Sequence, residues 1–380
     1  MRIFENLNYD FISKKNIAYI LSIVLFLLGL ISALIRGLEF GIDFKGGTEI
    51  VLQFDKAVDI GSVRTDVENI GLGNMEVKTF GGETGVMIRT EQQVIPANIF
   101  PEVVSYIQNE IDKEFPGGLQ RQIVDSTANS VTFAFANKDT TDDVIDALFA
   151  AGFQSGKVSE EPDNNQMVVR AGIADWIKEN LNQKIKDNNF IVLKEDIVGP
   201  KIGKELKRDA VLAIFFALIV ILVYLGFRFK FIFAFGAVTA LFHDTLITLG
   251  LFSLLYGLVP GLNLEIDITI VAAFLTLIGY SINDTVIVFD RIRENIKIHK
   301  TKPINEIINT SINQTMSRTV LTGGTTLMTV FVLLIFGGEV LRAFAFTLFF
   351  GIIIGTYSSI FVASALVYEY AIKYKKKLEF

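Results

Sequence analysis

Six long apolar stretches restrict the fold of this chain more than any other feature of its sequence. They cover approximately residues 16–36, 210–227, 231–256, 267–289, 319–337 and 341–370. An α-helix of about 20 apolar residues crosses the hydrocarbon layer of a bilayer, so each stretch is long enough to span a membrane. The sequence therefore predicts a polytopic α-helical membrane protein with six transmembrane helices. The connections between them are short, except for residues 290–318 and one long hydrophilic segment, residues 38–209.

The hydrophilic segment is acidic, with 18 Lys and Arg against 29 Asp and Glu, whereas the rest of the chain has 17 against 12. An acidic domain is a poor partner for nucleic acid, because neutralising phosphates requires clustered basic residues. The chain has no cysteine and only two histidines, His243 and His299, which leaves little for a disulfide framework, a thiol nucleophile or a metal site. We therefore expect no enzyme active site, no nucleic-acid partner, no metal and no cofactor.

Basic residues predict the orientation of the six helices. If both termini are cytoplasmic, the short cytoplasmic segments contain fourteen Lys and Arg, and the short segments on the other side contain only Arg36 and Arg342. Cytoplasmic loops carry an excess of basic residues. Residues 1–37 are then the cytoplasmic N-terminus and helix 1, residues 38–209 an extracytoplasmic domain, residues 210–370 helices 2 to 6, and residues 371–380 a basic cytoplasmic tail. The alternative for the first stretch is a cleaved signal peptide, but its apolar run is longer than a usual signal core and no good small-residue cleavage site precedes Arg36.

The hydrophilic segment contains an internal repeat. Shifting residues 48–90 by 81 positions aligns them without a gap on residues 129–171, with five identities in 43 pairs. Both copies read as a strand, a short helix that ends at a glycine, and two further strands, followed by an amphipathic helix and a final strand. The pattern predicts a ferredoxin-like α+β domain, a duplicated βαβαβ unit with copies at about 48–125 and 129–198. Chance similarity between two α/β segments is the alternative.

Charged residues inside three of the apolar stretches mark a candidate proton pathway. Asp244, next to His243, lies in the third stretch, and Asp284 lies near the inner end of the fourth. Arg318 lies at the inner start of the fifth, at nearly the same predicted depth as Asp284. Charges within membrane spans are costly and commonly belong to ion or proton pathways, and a guanidinium at this depth can pair with the carboxylate. The alternative is a static Asp284–Arg318 ion pair, with His243 and Asp244 at a helix kink or facing a polar cavity.

Hydroxyl and amide side chains surround this pair and form a polar seam between the fourth and fifth helices. They are Ser281, Asn283, Thr285, Thr319, Thr322, Thr325 and Thr326. Such a seam helps water and protons more than a static ion pair requires. Small residues at 322–326 (TGGTT), 337–338 and 351–355 (GIIIG) indicate that helices pack closely there.

A glycine-rich motif joins the first apolar stretch to the hydrophilic segment. It spans residues 41–48 (GIDFKGGT) and contains Gly41, Asp43, Gly46, Gly47 and Thr48. Glycine permits backbone angles that other residues resist. The motif is therefore either a hinge or strand that leads into the domain, or a simple sheet turn.

Five segments together resemble the SecF family of protein-export membrane proteins, which belongs to the RND (resistance-nodulation-division) superfamily. They are residues 41–48, 198–201 (VGPK), 279–294 (GYSINDTVIVFDRIRE), 315–326 (TMSRTVLTGGTT) and 355–363 (GTYSSIFVA). The resemblance covers the first stretch and everything from about Asp196 onward. The domain between them is longer than is usual in the family.

The resemblance implies a complex with SecD beside the SecYEG translocon in the cell (plasma or inner) membrane. Such a complex uses the proton-motive force to help draw preproteins outward after SecA has driven them through, so the expected partners are SecD, SecYEG, the preprotein and membrane lipids. The resemblance also implies that Asp284 and Arg318 participate in transfer of the proton, the coupling ion, with a further carboxylate supplied by SecD. Two other function classes stay open. A half-transporter of the same superfamily that exports small hydrophobic molecules would share the spans, and a scaffold for the translocon would need no titratable pair.

Overall fold

The computed structural model describes residues 7–159, 161, 164–259 and 261–373, and it divides into two compact units. The membrane unit comprises Met1–Asp43 and Glu205–Phe380, and the sheet unit comprises Phe44–Lys204. Residues 38–43 and 205–209, which the sequence grouped with the hydrophilic domain, belong by their contacts to the membrane unit. Most of the predicted basic tail, from residue 374 onward, lies outside the described residues.

The N-terminal part of the membrane unit is one long apolar helix. A 3₁₀ turn at Ile12–Lys14 leads into helix α1, Lys15–Arg36. Gly37 follows with a φ of 79°, a conformation that glycine adopts readily and that ends the helix. A four-residue helix α2, Ile42–Lys45, precedes the first strand.

The sheet unit consists of two four-stranded antiparallel sheets and four helices. In chain order its elements are β1 Gly47–Phe54, α3 Ile60–Glu68, β2 Met75–Thr79, β3 Gly85–Thr90, α4 Phe100–Glu114, β4 Arg121–Thr127, β5 Ser130–Phe135, α5 Lys138–Ala150, β6 Gln154–Lys157, β7 Gln166–Arg170, α6 Ile173–Lys184 and β8 Phe190–Val198. The succession of strand, helix, two strands and helix occurs twice, as β1-α3-β2-β3-α4 and as β5-α5-β6-β7-α6. The predicted α+β architecture with a repeated order of elements is confirmed.

Each sheet contains one strand that the sequence assigned to the other copy. The strand order is β2-β3-β1-β8 in one sheet and β4-β5-β7-β6 in the other. The ranges 48–125 and 129–198 are therefore not separate units, because β4 pairs with β5 of the second copy and β8 returns to β1 of the first. A two-residue turn joins β4 to β5, and so short a connection makes them a hairpin. In the two strand orders, β2, β3, β1 and β8 correspond to β6, β7, β5 and β4. The β1–β8 and β5–β4 pairings each contain one register shift.

One apolar core holds the sheet unit together. Ile50 and Leu52 of β1 are fully buried on the same face of the strand, because alternate residues point the same way. Val103, Ile107 and Ile111 recur at every fourth position of α4 and are at most 2% exposed. These residues belong to one continuous cluster that also contains buried residues of the second sheet. The two sheets therefore share a single core.

Helices α7 to α12 follow the sheet unit. They are α7 Pro200–Arg228, α8 Phe231–Leu255, α9 Ile268–Ile298, α10 Ile304–Phe336, α11 Gly338–Ser358 and α12 Ser364–Lys373. A five-residue π-helical segment, Ser359–Ala363, joins α11 and α12 within one apolar span, Leu341–Lys373. Together with α1, the described residues contain six helices that are long and apolar enough to cross a membrane, as predicted.

The long connection predicted at residues 290–318 is mostly helical, and α9 and α10 leave only five residues between them. The extended helix ends are amphipathic. Ile292 and Asn295 of α9 and Ile308 and Ser311 of α10 are at most 3% exposed, and Asn295 Nδ2 donates to Ser311 Oγ at 2.8 Å. The apolar stretches of the sequence did not include these helical turns, because a helix with a polar outer face has a low mean hydropathy.

The helices of the membrane unit are unequally buried. In α8, 56% of the most apolar 18-residue window is buried within the protein, but in α7 only 6% and in α10 only 17%. Helices α7 and α10 therefore present apolar surface in the described structure.

Candidate proton-transfer site

Two glycines bring α1 and α8 into backbone contact and place Ser22 beside His243. A Cβ added at Gly29 would lie 2.7 Å from the Gly250 Cα, so a side chain on either residue would force the helices apart. Gly29 and Gly250 are 221 residues apart in the chain, and so are Ser22 and His243. Because both contacts have the same separation, the two helices run parallel. Ser22 Oγ and His243 Nε2 lie 3.0 Å apart.

Asp244 is a buried carboxyl, 1% exposed, with three hydrogen-bonding partners. His243 Nδ1 lies 2.9 Å from its Oδ1, and the hydroxyls of Ser281 and Ser358 donate to its Oδ2 at 2.7 and 2.8 Å. These bonds offset the cost of removing a carboxyl from water. His243 and Asp244 therefore belong to a network that joins α1, α8, α9 and α11.

Glycines also set the contact between α9 and α11. A Cβ at Gly351 would overlap Leu277 Cδ1, and one at Gly355 would lie 2.8 Å from Ser281 Oγ. Gly351 and Leu277 are separated by as many residues as Gly355 and Ser281, so α9 and α11 run parallel along this contact. The close packing indicated by the GIIIG motif is confirmed for these two helices.

Asp284 lies about one turn beyond Ser281 on α9 and is 1% exposed. Thr356 Oγ1 of α11 donates to Asp284 Oδ2 at 3.1 Å, while Asp284 Oδ1 has no hydrogen-bond partner among the described residues. A buried carboxylate with an unsatisfied oxygen is costly. Protonation removes the negative charge and gives the side chain a hydroxyl that can itself donate.

The predicted direct ion pair between Asp284 and Arg318 is not formed in this structure. Arg318 is exposed on α10, whereas the next residue, Thr319, is only 3% exposed. The Arg318 charge is close enough to act electrostatically on Asp284, but no ion pair joins the two side chains among the described contacts. The sequence predicts that Asp284 and Arg318 lie at a similar depth in the membrane. The direction in which each side chain points from its helix axis depends on helix packing, which the sequence does not give.

The predicted polar seam separates into buried and exposed members. Those buried are Ser281, Thr285 and Thr319, and those exposed are Asn283 and Thr325. Tyr280 OH of α9 donates to the Thr322 carbonyl oxygen of α10 at 3.1 Å and lies 3.2 Å from Thr326 Oγ1. The Thr319 hydroxyl has no hydrogen-bond partner among the described residues. The seam therefore links α9 to α10, but only Ser281 of its members reaches a carboxyl in the described contacts.

Four residues of the network were missed from the sequence. They are Ser22, Thr356, Tyr357 and Ser358. Tyr357 OH donates to the Ala18 carbonyl oxygen at 2.6 Å and lies 3.1 Å from Ser22 Oγ. The available signal was the run GTYSS at residues 355–359, a group of hydroxyl side chains inside an apolar span. Such side chains can serve as hydrogen-bond donors to carboxyls on neighbouring helices.

The first half of the 41–48 motif is anchored to the start of α9. Gly41 N donates to the Ile266 carbonyl oxygen at 2.8 Å. Asp43 Oδ2 accepts from the backbone N–H of Ile268 at 3.0 Å, at the first residue of α9. An acidic side chain suits this position because the N-terminal N–H groups of a helix lack partners within the helix.

The second half of the motif is a tight glycine turn in the sheet unit. Gly46 and Gly47 have φ values of 77° and 117°, and β1 begins at Gly47. A Cβ at Gly46 would lie 3.0 Å from the Pro200 Cα, and one at Gly47 would overlap the Thr90 carbonyl oxygen. Thr48 Oγ1 donates to the Gln92 carbonyl oxygen at 2.8 Å. The motif is thus a short helix, a glycine turn and the first two residues of β1, and a hinge motion at this turn stays a prediction.

The groups that meet around Asp244 and Asp284 are carboxyl, imidazole and hydroxyl groups, all of which can exchange or relay protons. Within the part of the chain that the structure describes, no three histidine, aspartate or glutamate side chains are grouped to hold a metal ion.

Two family profiles match the chain. The profile for protein export membrane protein SecD/SecF, C-terminal, covers residues 177–373, and the SecD/SecF GG motif covers residues 31–58. The second of these contains Gly46 and Gly47. The protein translocase subunit SecF of Rhodothermus marinus is 43% identical over 97% of this chain and 95% of its own length. That of Koribacter versatilis is 38% identical over 97% of this chain and 93% of its own length.

Two solved structures are similar in fold. The structure of SecDF, a translocon-associated membrane protein from Thermus thermophilus, has a TM-score of 0.65 and 29% identity over 98% of this chain. A structure of SecDF in a super-membrane-facing form has a TM-score of 0.56 and 30% identity over 97% of this chain. The chain spans 40% of the length of each SecDF chain.

Proposed function

We propose that this chain, which belongs to the SecD/SecF family of protein export membrane proteins, uses the proton-motive force to assist the outward movement of preproteins. Its full-length relatives are named as protein translocase subunits, which is a transport role. The observation that carries the proposal is Asp284, a carboxyl buried in the membrane unit whose Oδ1 has no hydrogen-bond partner in the described part of the chain. The proton is the proposed coupling ion.

A proton-driven cycle needs a carboxyl that is stable in both protonation states at different stages. In the described structure Thr356 stabilises the ionised form from one side only. The Arg318 charge lies near but is not paired with Asp284, so a change in the rotation or position of α10 can bring the two groups together. We propose that Asp284 alternates between a protonated state and an ionised state paired with Arg318.

A second membrane subunit completes the site in this proposal. Helices α7 and α10 leave apolar surface uncovered, and Arg318 is an exposed charge on the same α10 surface. A charge is costly against lipid, so a partner that covers α10 would supply a carboxyl or other acceptor there. We propose SecD as this partner, because the similar SecDF chains are longer than this chain by an amount that leaves room for a second set of helices. The further proposed partners are the SecYEG translocon, the preprotein and membrane lipids.

The proposed location is the cell (plasma or inner) membrane with both termini in the cytoplasm. The excess of basic residues in the short segments on one side supports this orientation. The sheet unit would then lie on the outer side. Its acidic composition suits contact with other proteins rather than nucleic acid, and we propose a mechanical or holding role for it.

A reconstituted system tests the proposed function. The chain, SecD and SecYEG are placed in proteoliposomes, and completion of preprotein export is measured with and without an imposed proton gradient. We expect faster export when the gradient is present. Export that does not depend on the gradient would favour a scaffold that only steadies the translocon.

Replacing Arg318 with lysine is expected to impair proton-driven export by roughly tenfold, because an ammonium cannot reproduce the two-point pairing of a guanidinium with a carboxylate. The matched control is Arg342→Lys, a half-buried arginine in the same membrane unit. Initial rates of gradient-driven export measure both variants. Full activity of Arg318→Lys would indicate that position 318 requires only a positive charge.

A further inference from the structure

Two hydroxyl side chains of α11 hold the two buried carboxyls of the membrane unit, and they are only two residues apart. Thr356 donates to Asp284 of α9, and Ser358 donates to Asp244 of α8. Residues two positions apart on an α-helix point about 200° apart, towards opposite sides. One turn of α11 therefore contacts a carboxyl on each side.

The Ser358 hydroxyl has an alternative partner on its own helix. Ser358 Oγ lies 2.8 Å from Asp244 Oδ2 and also 3.1 Å from the Gly355 carbonyl oxygen. Another threonine of α11, Thr347, donates to the Ala343 carbonyl oxygen four residues earlier, at 2.9 Å. Such bonds are common for serine and threonine in helices. A hydroxyl of α11 can therefore leave a carboxyl without losing all its hydrogen bonds.

The π-helical segment Ser359–Ala363 follows this turn directly. A π-helical segment departs from the regular hydrogen bonding of an α-helix and is frequent at functional sites. Ser359 Oγ donates to the Thr356 carbonyl oxygen at 2.9 Å, and Ser364 Oγ donates to the Ser359 carbonyl oxygen at 2.8 Å. Side chains thus supply hydrogen bonds to the backbone here, which allows α11 to adjust next to the two carboxyls.

We propose that Thr356 and Ser358 are positioning residues that couple the protonation of Asp284 to the Asp244–His243 pair through α11. An ionised Asp284 accepts the Thr356 hydroxyl. When a proton adds to a carboxylate oxygen of Asp284, that side chain gains its own hydroxyl, and Thr356 turns to its helix backbone. The resulting adjustment of α11 changes the bond from Ser358 to Asp244, and with it the environment of His243. This inference rests on the proposed proton-coupled function.

Few charged or titratable groups surround the two carboxyls in the described structure. Arg318 of α10 acts electrostatically on Asp284. His243 is bonded to Asp244, and the Tyr357 ring of α11 stacks on His243 with centroids 6.2 Å apart. The remaining described partners are serine and threonine hydroxyls. His243 is therefore a suitable reporter of changes that reach Asp244 from Asp284.

The first experiment reads the coupling without measuring export. The chain has two histidines, so the full-length His299→Gln variant labelled with ¹⁵N-histidine gives an NMR signal from His243 alone. In lipid nanodiscs, we expect Asp284→Asn to shift the His243 resonances. Adding Thr356→Val or Ser358→Ala is expected to reduce that shift by at least about half, in line with the loss of one of the connecting hydrogen bonds. Two control variants are expected to retain the full His243 shift. Thr356→Ser keeps the hydroxyl, and Thr347→Val removes a hydroxyl that donates to the carbonyl oxygen of its own helix.

The second experiment measures the pH profile of gradient-driven export in proteoliposomes with SecD and SecYEG. Valine at position 356 removes a donor that favours ionised Asp284, so the midpoint of the profile is expected to move upward by about one pH unit. Thr347→Val is expected to leave it in place. If Thr356→Val left both the midpoint and the His243 response unchanged while Asp284→Asn abolished export, the coupling would be refuted and the proposed function would stand. If Asp284→Asn left export unchanged, the proposed function itself would fail.

Discussion

Replacing Asp284 with asparagine is expected to reduce gradient-driven export to background, a loss on the order of 10²-fold or more. The amide nearly preserves the volume of the side chain but cannot bind and release a proton. The packing of α9 against α11 is set by Gly351 on Leu277 and Gly355 on Ser281, and neither contact involves the side chain of residue 284, so it is retained. Membrane insertion and binding of SecD should therefore be unchanged. Proton flux and preprotein export in proteoliposomes measure the loss.

Asp290→Asn is the matched control for this experiment. Asp290 lies on the same helix, α9, but is exposed, and its Oδ1 is 3.7 Å from Arg228 Nη2. The substitution makes the same change in charge outside the buried network, so export close to wild type is expected. Normal export by the Asp284→Asn variant would mean that the buried carboxyl is not needed, and the scaffold role would then be favoured.

The sequence was sufficient to predict the six spans because burial in lipid requires long apolar helices, and this requirement is visible in every stretch. It was less informative where a helix leaves the apolar layer. The end of α9 and the start of α10 are buried through residues such as Ile292 and Ile308, which lie among charged or polar residues and do not raise the mean hydropathy. Helix length was therefore underestimated at residues 290–318.

Side-chain partners in the membrane unit were only partly predictable. Asp244 and Asp284 stand out because charged residues are rare in apolar stretches. The hydroxyls of Thr356 and Ser358 do not, since serine and threonine also occur in spans for packing reasons. Which of these side chains contacts a carboxyl depends on the rotation of α11, and that rotation is set by Gly351 and Gly355 against α9.

The repeat in the sheet unit was visible as a succession of elements, but its strand pairing was not. Sequence similarity defines copies that are continuous in the chain. The sheets instead exchange their final strands, because the turn between β4 and β5 is too short to let β4 return to β1. β8 takes that place beside β1. Pairing between distant strands depends on which strand edge is left free, and a local pattern does not contain this information.

The second large effect is expected from Gly47→Ala at the start of β1. The Gly47 φ of 117° disfavours any side chain, at a cost of about 1–2 kcal/mol, and the added Cβ would also overlap the Thr90 carbonyl oxygen at the end of β3. Displacing a backbone carbonyl adds roughly 1–3 kcal/mol, as for other overpacked sites. We expect the sheet unit to lose about 3 kcal/mol of unfolding free energy, which corresponds to a decrease of roughly 6–12 °C in its Tm.

Trp176, the single tryptophan of the chain, lies on α6 in the sheet unit, so its fluorescence during thermal unfolding of the full-length protein in detergent reports on this unit. Gly73→Ala is the matched control, because Gly73 has a φ of 81° and no atom within 4 Å of an added Cβ. The control carries the backbone strain without the overlap, so a loss of about 1 kcal/mol is expected. The difference between the two variants therefore measures the contact between Gly47 and Thr90. Equal losses would show that β3 moves aside at no cost, and the glycine at position 47 would then be needed only for its backbone conformation.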